Sequence, residues 1–318
     1  MHRPLSRYRG APGEKIHPHF PYHGRRDPPQ GTSMNQSDRT SGQAPPFAAR
    51  LRMGGRMLLG LARPPAQYGI SHPKSGRTWL RAMVGRVLCN RTGLPDSDLL
   101  HTRKLTAAAG VPVLKWHHGG ASLKSPCPRH DELVFDRRFA GKSIIFVMRD
   151  PRDTLVSSYF QAAKRSQSID GPVGEIGEFV RSSERGILKW IAFHNLWHDN
   201  LAKLRSFHLV RYEAMHADPQ GTLRGVLEAM GLQDVTDAEL ASAIEFARFD
   251  NLKRLESSGR LQDSALKPKD AADPDSFKVR KGQVGGYHES LGEADIAFIE
   301  ATLRSYPCPL YLENYPQP

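Results

Sequence analysis

The sequence predicts an α/β fold, a single domain with a central, mostly parallel sheet flanked by helices. Three observations carry this reading. From residue 66 onward, short apolar runs alternate with segments of helical period, the order expected of strands joined by crossover helices. One run, "KSIIFVMR", is apolar without interruption, as in strands buried on both faces. Another, "QYGISH", passes through a Pro/Gly-punctuated turn straight into an amphipathic pattern, which makes a strand-loop-helix unit.

The elements follow in order. "QYGISH" is the first strand, and its helix runs from Thr78 to about Asn90, with Gly93 placed to cap it. "VPVLKWH" is a second strand and "KSIIFVMR" a third. Asp150 and Pro151 then supply an N-cap and a first-turn proline for a helix through about Lys164. A long helical segment is expected from Glu175 to about Lys203, then a strand "FHLVRYE" and two helices, "PQGTLRGVLEAMG" and "DAELASAIEFARF". Gly259 to about Ser276 reads as a polar loop, and a final helix starts near Glu293. No internal repeat or linker interrupts residues 66–318, so they form one domain.

Composition limits what that domain does. The chain has 318 residues, 39% of them hydrophobic, enough to bury a sizeable core. Its formal charge of +12 is unevenly placed: residues 1–65 carry 11 Lys+Arg against 3 Asp+Glu, while the remainder carries 34 against 30. Residues 1–65 also hold 10 of the 24 prolines and no sustained apolar period, and they read as a basic, Pro-rich, disordered extension. The apolar piece "MLLGLA" is far shorter than the roughly 20 residues of a membrane span and lacks the marks of a signal peptide, so no span and a cytoplasmic location are expected. Cys89, Cys127 and Cys308 are odd in number and widely spaced, which indicates neither a disulfide framework nor a zinc site.

The turn after the first strand reads "HPKSGRTW". A strand that feeds a helix through a short loop turns unpaired backbone N–H groups and the positive end of a helix dipole toward whatever occupies the loop. This is a P-loop-like anion site. Gly76 permits close backbone approach, Lys74 adds a charge, and Ser75 and Thr78 add hydroxyl donors. The pattern GxxxxGK[ST] is absent, because the lysine precedes the glycine, which disfavours an ordinary nucleotide kinase. The structural alternative is a plain turn with surface cations.

Three further segments bear on the choice. Arg149 stands at the end of the third strand, where open α/β sheets place ligands, and Ser157 lies eight residues on, two turns into the next helix. "FKVRKGQVGGYHESL" packs three cations and three glycines between Lys278 and Gly286, which suits closure over a second phosphate. In "VLKWHH", strand alternation puts Lys115 and His117 on one face and Trp116 and His118 on the other. One face thus offers a cation beside a candidate general base.

Together these segments resemble the soluble, cytosolic-type sulfotransferases, which move a sulfuryl group from 3′-phosphoadenosine 5′-phosphosulfate (PAPS) to a hydroxyl or amine. The resemblance covers about residues 66–290, with the motifs in the family's order. "HPKSGRTW" resembles the family's phosphosulfate loop, YPKSGTTW. It implies that Lys74, Ser75, Gly76, Arg77 and Thr78 hold the 5′-phosphosulfate and that Trp79 stacks on the adenine. "RDPRDTLVSSY" is similar to the 3′-phosphate motif, which implies Arg149 and Ser157 as ligands. "RKG" at Arg280, Lys281 and Gly282 resembles the glycine loop that contacts the same phosphate. "LKWH" resembles the KTH strand, which makes His117 the implied base and Lys115 its neighbour at the sulfuryl group. "VRYEAM" and "ARFDNLKR" resemble the segments that bring a tyrosine, here Tyr212, and an aromatic, here Phe249, to the nucleotide.

Arg77 departs from the family's usual threonine. Gly285, Gly286 and Tyr287 stand where the family often continues GDW, and the KxxxTVxxxE signature of its common dimer contact is absent. The resemblance therefore implies no oligomeric state. It implies in-line transfer without a metal, with Lys74 neutralising charge on the leaving group, while the lack of a membrane anchor in the sequence favours a small-molecule or lipid-linked hydroxyl acceptor. Two rival readings are an atypical phosphotransferase, which would need Asp150 and Asp153 for magnesium, and a nucleic-acid binder using the basic tail. That tail has only Tyr8, Phe20, Tyr22 and Phe47 as aromatics, so no nucleic-acid partner is expected.

Overall fold

The computed structural model describes residues 67–123, 127–165, 173–258 and 282–315. The expectations for residues 1–65, for the loop 259–276, and for Arg280 and Lys281 lie outside the described residues. Four strands, β1 (Gln67–Ser71), β2 (Leu114–His117), β3 (Ser143–Met148) and β4 (Ser206–Arg211), form one parallel sheet in the order β2-β1-β3-β4. The chain goes from β1 to one side and returns to the other. This reversal opens a crevice at the carboxyl ends of β1 and β3, the position where such sheets bind ligands.

Helices cover both faces, which is why β3 needs no polar alternation. On one face Leu114, Ile145, Val147 and Val210 pack with α1 (Arg77–Thr92), α2 (Thr102–Ala108), α7 (Pro219–Ala229) and α8 (Asp237–Phe246). On the other, Ile70, Ile144, Phe146 and Met148 pack with α3 (Pro151–Arg165), α5 (Ile187–His198) and α10 (Glu293–Ser305). Local signals set several ends. The amide of Gly93, at φ 68°, donates to the Cys89 carbonyl (2.9 Å) and closes α1, and Asp150 Oδ1 accepts from the Arg152 amide (2.8 Å) to open α3.

Three expectations need correction. The helix read from Glu175 to Lys203 is two, α4 (Ile176–Arg181) and α5. The chain turns back at Gly186, whose amide donates to the Ser182 carbonyl (2.8 Å), and a Cβ there would collide with the carbonyls of Val180 and Ser182. The strand read through Glu213 stops at Arg211, because Tyr212 and Glu213 begin α6 (Tyr212–Ala217). Glu213 is held there by the Asp150 amide (2.9 Å) and the Tyr315 hydroxyl (2.8 Å), contacts from remote parts of the chain. Besides α6, three helices have no counterpart in the sequence reading: α2, α9 (Phe249–Ser258) and α11 (Pro309–Asn314).

Candidate active site

The loop between β1 and α1 is built under strain. Lys74 has φ 69°, the one described non-glycine residue at positive φ, and Gly76 follows at φ 91°. A branched or bulky residue resists that conformation, and its persistence at Lys74 means the surrounding loop imposes it. At Gly76 a Cβ would run into the ring of Tyr212, so this glycine is required by packing as well as by backbone. Helix α1 begins with neither a side-chain cap nor an acidic residue in its first turn. The Ser75 hydroxyl is buried and has no hydrogen-bond partner. A positive helix end with an unsatisfied buried hydroxyl fits an anion that supplies the missing acceptor.

Across the crevice, Arg149 lies over the Tyr212 ring, its guanidinium carbon 4.1 Å from the ring centre. It donates to the Gln283 carbonyl (2.8 Å) and pairs with Asp153 (3.4 Å), which leaves its buried Nε without a partner. Asp153 also accepts from the amides of Gly285 (2.9 Å) and Tyr287 (3.0 Å). This carboxylate, one turn before Ser157 on the same face of α3, clamps the segment after Gly282 against the site. Gly282, at φ 63°, packs on the ring of Phe249. The structure therefore brings together the β1 loop, Arg149, Tyr212, Phe249 and Gly282.

His117 ends β2 beside Ile70 of β1, in register with the start of the anion loop. Strand alternation holds: Trp116 packs into the core on the α1 side, while His117 meets Phe139 (5.6 Å between ring centres) and Lys115 Nζ lies 5.9 Å from the Tyr68 ring centre. The amide of Gly119 donates to His117 Nδ1 (2.9 Å). Partial burial, with Arg138 and Arg77 nearby, lowers the pKa of His117 below its ordinary 6.5, against an opposing pull from Asp136. His118 turns away, its Nδ1 3.0 Å from the Ser71 carbonyl.

Sequence reasoning missed His216. Its ring lies 4.6 Å from Trp79 and 4.8 Å from Tyr212, and it holds one side of the aromatic group assigned to the nucleotide. A histidine one turn after Tyr212 signals it only once Tyr212 opens a helix, whereas the sequence reading ends a strand at Glu213. Asp150 and Asp153, the carboxylates a magnesium site would use, are spent on Arg152 (2.7 Å) and on Arg149 with two amides. Among the described residues, no cluster of three His, Cys, Asp or Glu could hold a metal ion. No described helix is long and apolar enough to cross a membrane.

An anion cradle at the switch point of a parallel sheet, facing a histidine and a lysine on the adjacent strand, defines an enzyme that transfers an anionic group. The model of the sulfotransferase domain family matches residues 70–306, and the chain belongs to that family. It is 28% identical over 262 residues to cytosolic sulfotransferase 17 of Arabidopsis thaliana, covering 76% of this chain and 74% of that protein. With sulfotransferase 2A6 of Rattus norvegicus it shares 25% over 237 residues, 71% of this chain and 79% of the relative. The fold is similar to that of mouse sulfotransferase SULT7A1 complexed with PAP, with a TM-score of 0.53 and 18% identity over 80% of this chain and 89% of that one. It is also similar to retinol dehydratase in complex with androsterone and PAP, with a TM-score of 0.51 and 14% identity over 80% and 84% of the two chains. The reaction is therefore PAPS-dependent sulfuryl transfer, and neither phosphotransfer nor nucleic-acid binding is favoured.

Proposed function

We propose that the protein transfers a sulfuryl group from PAPS to a hydroxyl, or an amine, of a small-molecule or lipid-linked acceptor in the cytoplasm. The observation that carries the residue assignment is the strained, uncapped loop at Lys74–Gly76 with its buried, unpartnered Ser75 hydroxyl. Lys74, Ser75, Gly76, Arg77 and Thr78 hold the 5′-phosphosulfate, and Trp79, steadied by His216, stacks on the base. Arg149 and Ser157 take the 3′-phosphate, while Tyr212 and Phe249 wall the nucleotide. The roles of Arg280 and Lys281 rest on the sequence motif, and Gly282 packs against the ring of Phe249.

His117 takes the acceptor's proton as its oxygen attacks sulfur, with Lys115 beside it. As placed, the Gly119 amide occupies the Nδ1 lone pair, so the ring hydrogen sits on Nε2. To receive a proton at Nε2, the ring must carry its hydrogen on Nδ1, and the Gly119 contact must be given up when the acceptor binds. Lys74 stabilises charge building on the leaving phosphate oxygens.

Calorimetric titration with adenosine 3′,5′-bisphosphate tests the donor site, with adenosine 5′-phosphate as control. Binding should depend on the 3′-phosphate, and Arg149→Ala should erase the difference between the two nucleotides. Equal affinity of the wild type for both would refute the Arg149 assignment. A pH profile tests the base. The neutral imidazole is the active form and its pKa is lowered, so activity is full above that pKa and falls as pH drops through it. Titration of the His117 ring in the donor-free protein should show an inflection below the 6.5 of an ordinary histidine. Donor anion beside Arg77 should then raise it. An inflection that stays fixed on donor binding would separate His117 from the transfer site.

A further inference from the structure

Lys189 is a buried amine that the proposed reaction does not use. It projects from α5 with its side chain fully enclosed, and its Nζ donates to the Ser122 carbonyl (2.8 Å) and to Cys127 Sγ (3.1 Å). The nearby carboxylate of Glu184 is turned to Arg185 (3.9 Å), and among the described residues no acid comes within ion-pair distance of Lys189. Burial without a counter-ion lowers the pKa of the amine below that of an exposed lysine, so its neutral, nucleophilic form is reached more readily. Cys127 is partly exposed, and its thiol donates to the carbonyls of Ser122 (3.1 Å) and Glu184 (3.4 Å). Sulfur, in a residue that is not fully buried, thus touches a desolvated amine.

We propose that Cys127 and Lys189 form a reversible covalent crosslink through a bridging oxygen, Sγ–O–Nζ, with dioxygen as the oxidant. The thiol and the neutral amine contribute three hydrogens. One stays on nitrogen and two leave in water. One oxygen atom becomes the bridge and the other becomes that water. Sulfur and nitrogen each lose two electrons, and dioxygen takes up all four. The existing separation of 3.1 Å accommodates an inserted atom with less movement of α5 than a direct S–N bond would need. Cys89 and Cys308 serve as internal controls, since both are buried and burial raises their thiols to about 11 and about 12, away from reactive thiolate.

The crosslink would tie Cys127 covalently to α5. The inference does not depend on the identity of donor or acceptor. The full-length protein, purified under reductant, is moved into air-saturated buffer, digested without reductant and analysed by mass spectrometry. The expected product is a joined pair of peptides containing Cys127 and Lys189, heavier than their sum by one oxygen less two hydrogens. Dithiothreitol should release it, and Cys127→Ser, which leaves Lys189 and its packing in place, should abolish it. Oxidation of Cys127 to sulfinic or sulfonic acid with Lys189 unmodified would overturn the proposal, as would an unmodified pair. A product lighter than the sum by two hydrogens would mean direct S–N coupling and would rule out the bridging oxygen.

Discussion

Replacing His117 by alanine should lower acceptor turnover by about 10²- to 10⁴-fold, the usual contribution of a general base, while adenosine 3′,5′-bisphosphate binds as before. At about 1.4 kcal/mol per decade this is roughly 3–5 kcal/mol of transition-state stabilisation. The separation of effects follows from position. His117 closes β2, whereas the anion cradle is built from the β1 loop and the end of β3. The side chain is also half-exposed and its main packing partner is Phe139, so truncation should leave the fold intact. His118→Ala is the matched control, because that ring points at the Ser71 carbonyl on β1. Loss of activity in His118→Ala with retention in His117→Ala would exchange the two assignments. Loss of donor binding in His117→Ala would show that the residue belongs to the donor site.

Lys74 should give the second large effect, and its backbone permits a sharp test. Lys74→Met removes the charge while keeping a long side chain at φ 69°, and it should cut kcat by about 10²- to 10³-fold, the scale of losing one preorganised electrostatic donor. Lys74→Gly removes the charge and the strain together. Left-handed backbone costs a non-glycine residue about 1–3 kcal/mol when held at a functional site, so the glycine variant should be at least as stable as the wild type in thermal unfolding. It should nevertheless be as inactive as the methionine variant. A stable, active Lys74→Gly enzyme would mean that the lysine charge has no part in transfer. A glycine variant that unfolds more easily would mean that the loop is not strained there.

Much of this molecule is legible without coordinates because local rules and global fold agree. The uninterrupted apolar run of β3, Pro151 opening a helix, and Gly93 closing one each follow from properties of a few adjacent residues. The order of anion loop, histidine strand and arginine strand end was equally plain, since the chemistry of "PKSGRT", "LKWH" and the cation at Arg149 resides in short segments. Alternation along β2 alone placed Lys115 and His117 on the face opposite Trp116.

Other features were decided by contacts between distant parts of the chain. Tyr212 has strand propensity and follows an apolar run, yet with Glu213 it turns into a helix because Asp150, Tyr315, Arg149 and Gly76 hold the pair there. The break at Gly186 depends on how closely the chain returns to Val180 and Ser182. Asp153 looks like a first-turn helix acid in the sequence, and only folding shows it gripping Arg149 and two amides more than 130 residues away. The sequence by itself determined the α/β class, the anion loop and the candidate base, because periodicity and side-chain chemistry are local. Tertiary structure alone decided the role of Asp153, the helix at Tyr212 with His216 behind Trp79, and the Lys189–Cys127 contact. Each of these is a meeting of residues whose partners no local pattern names.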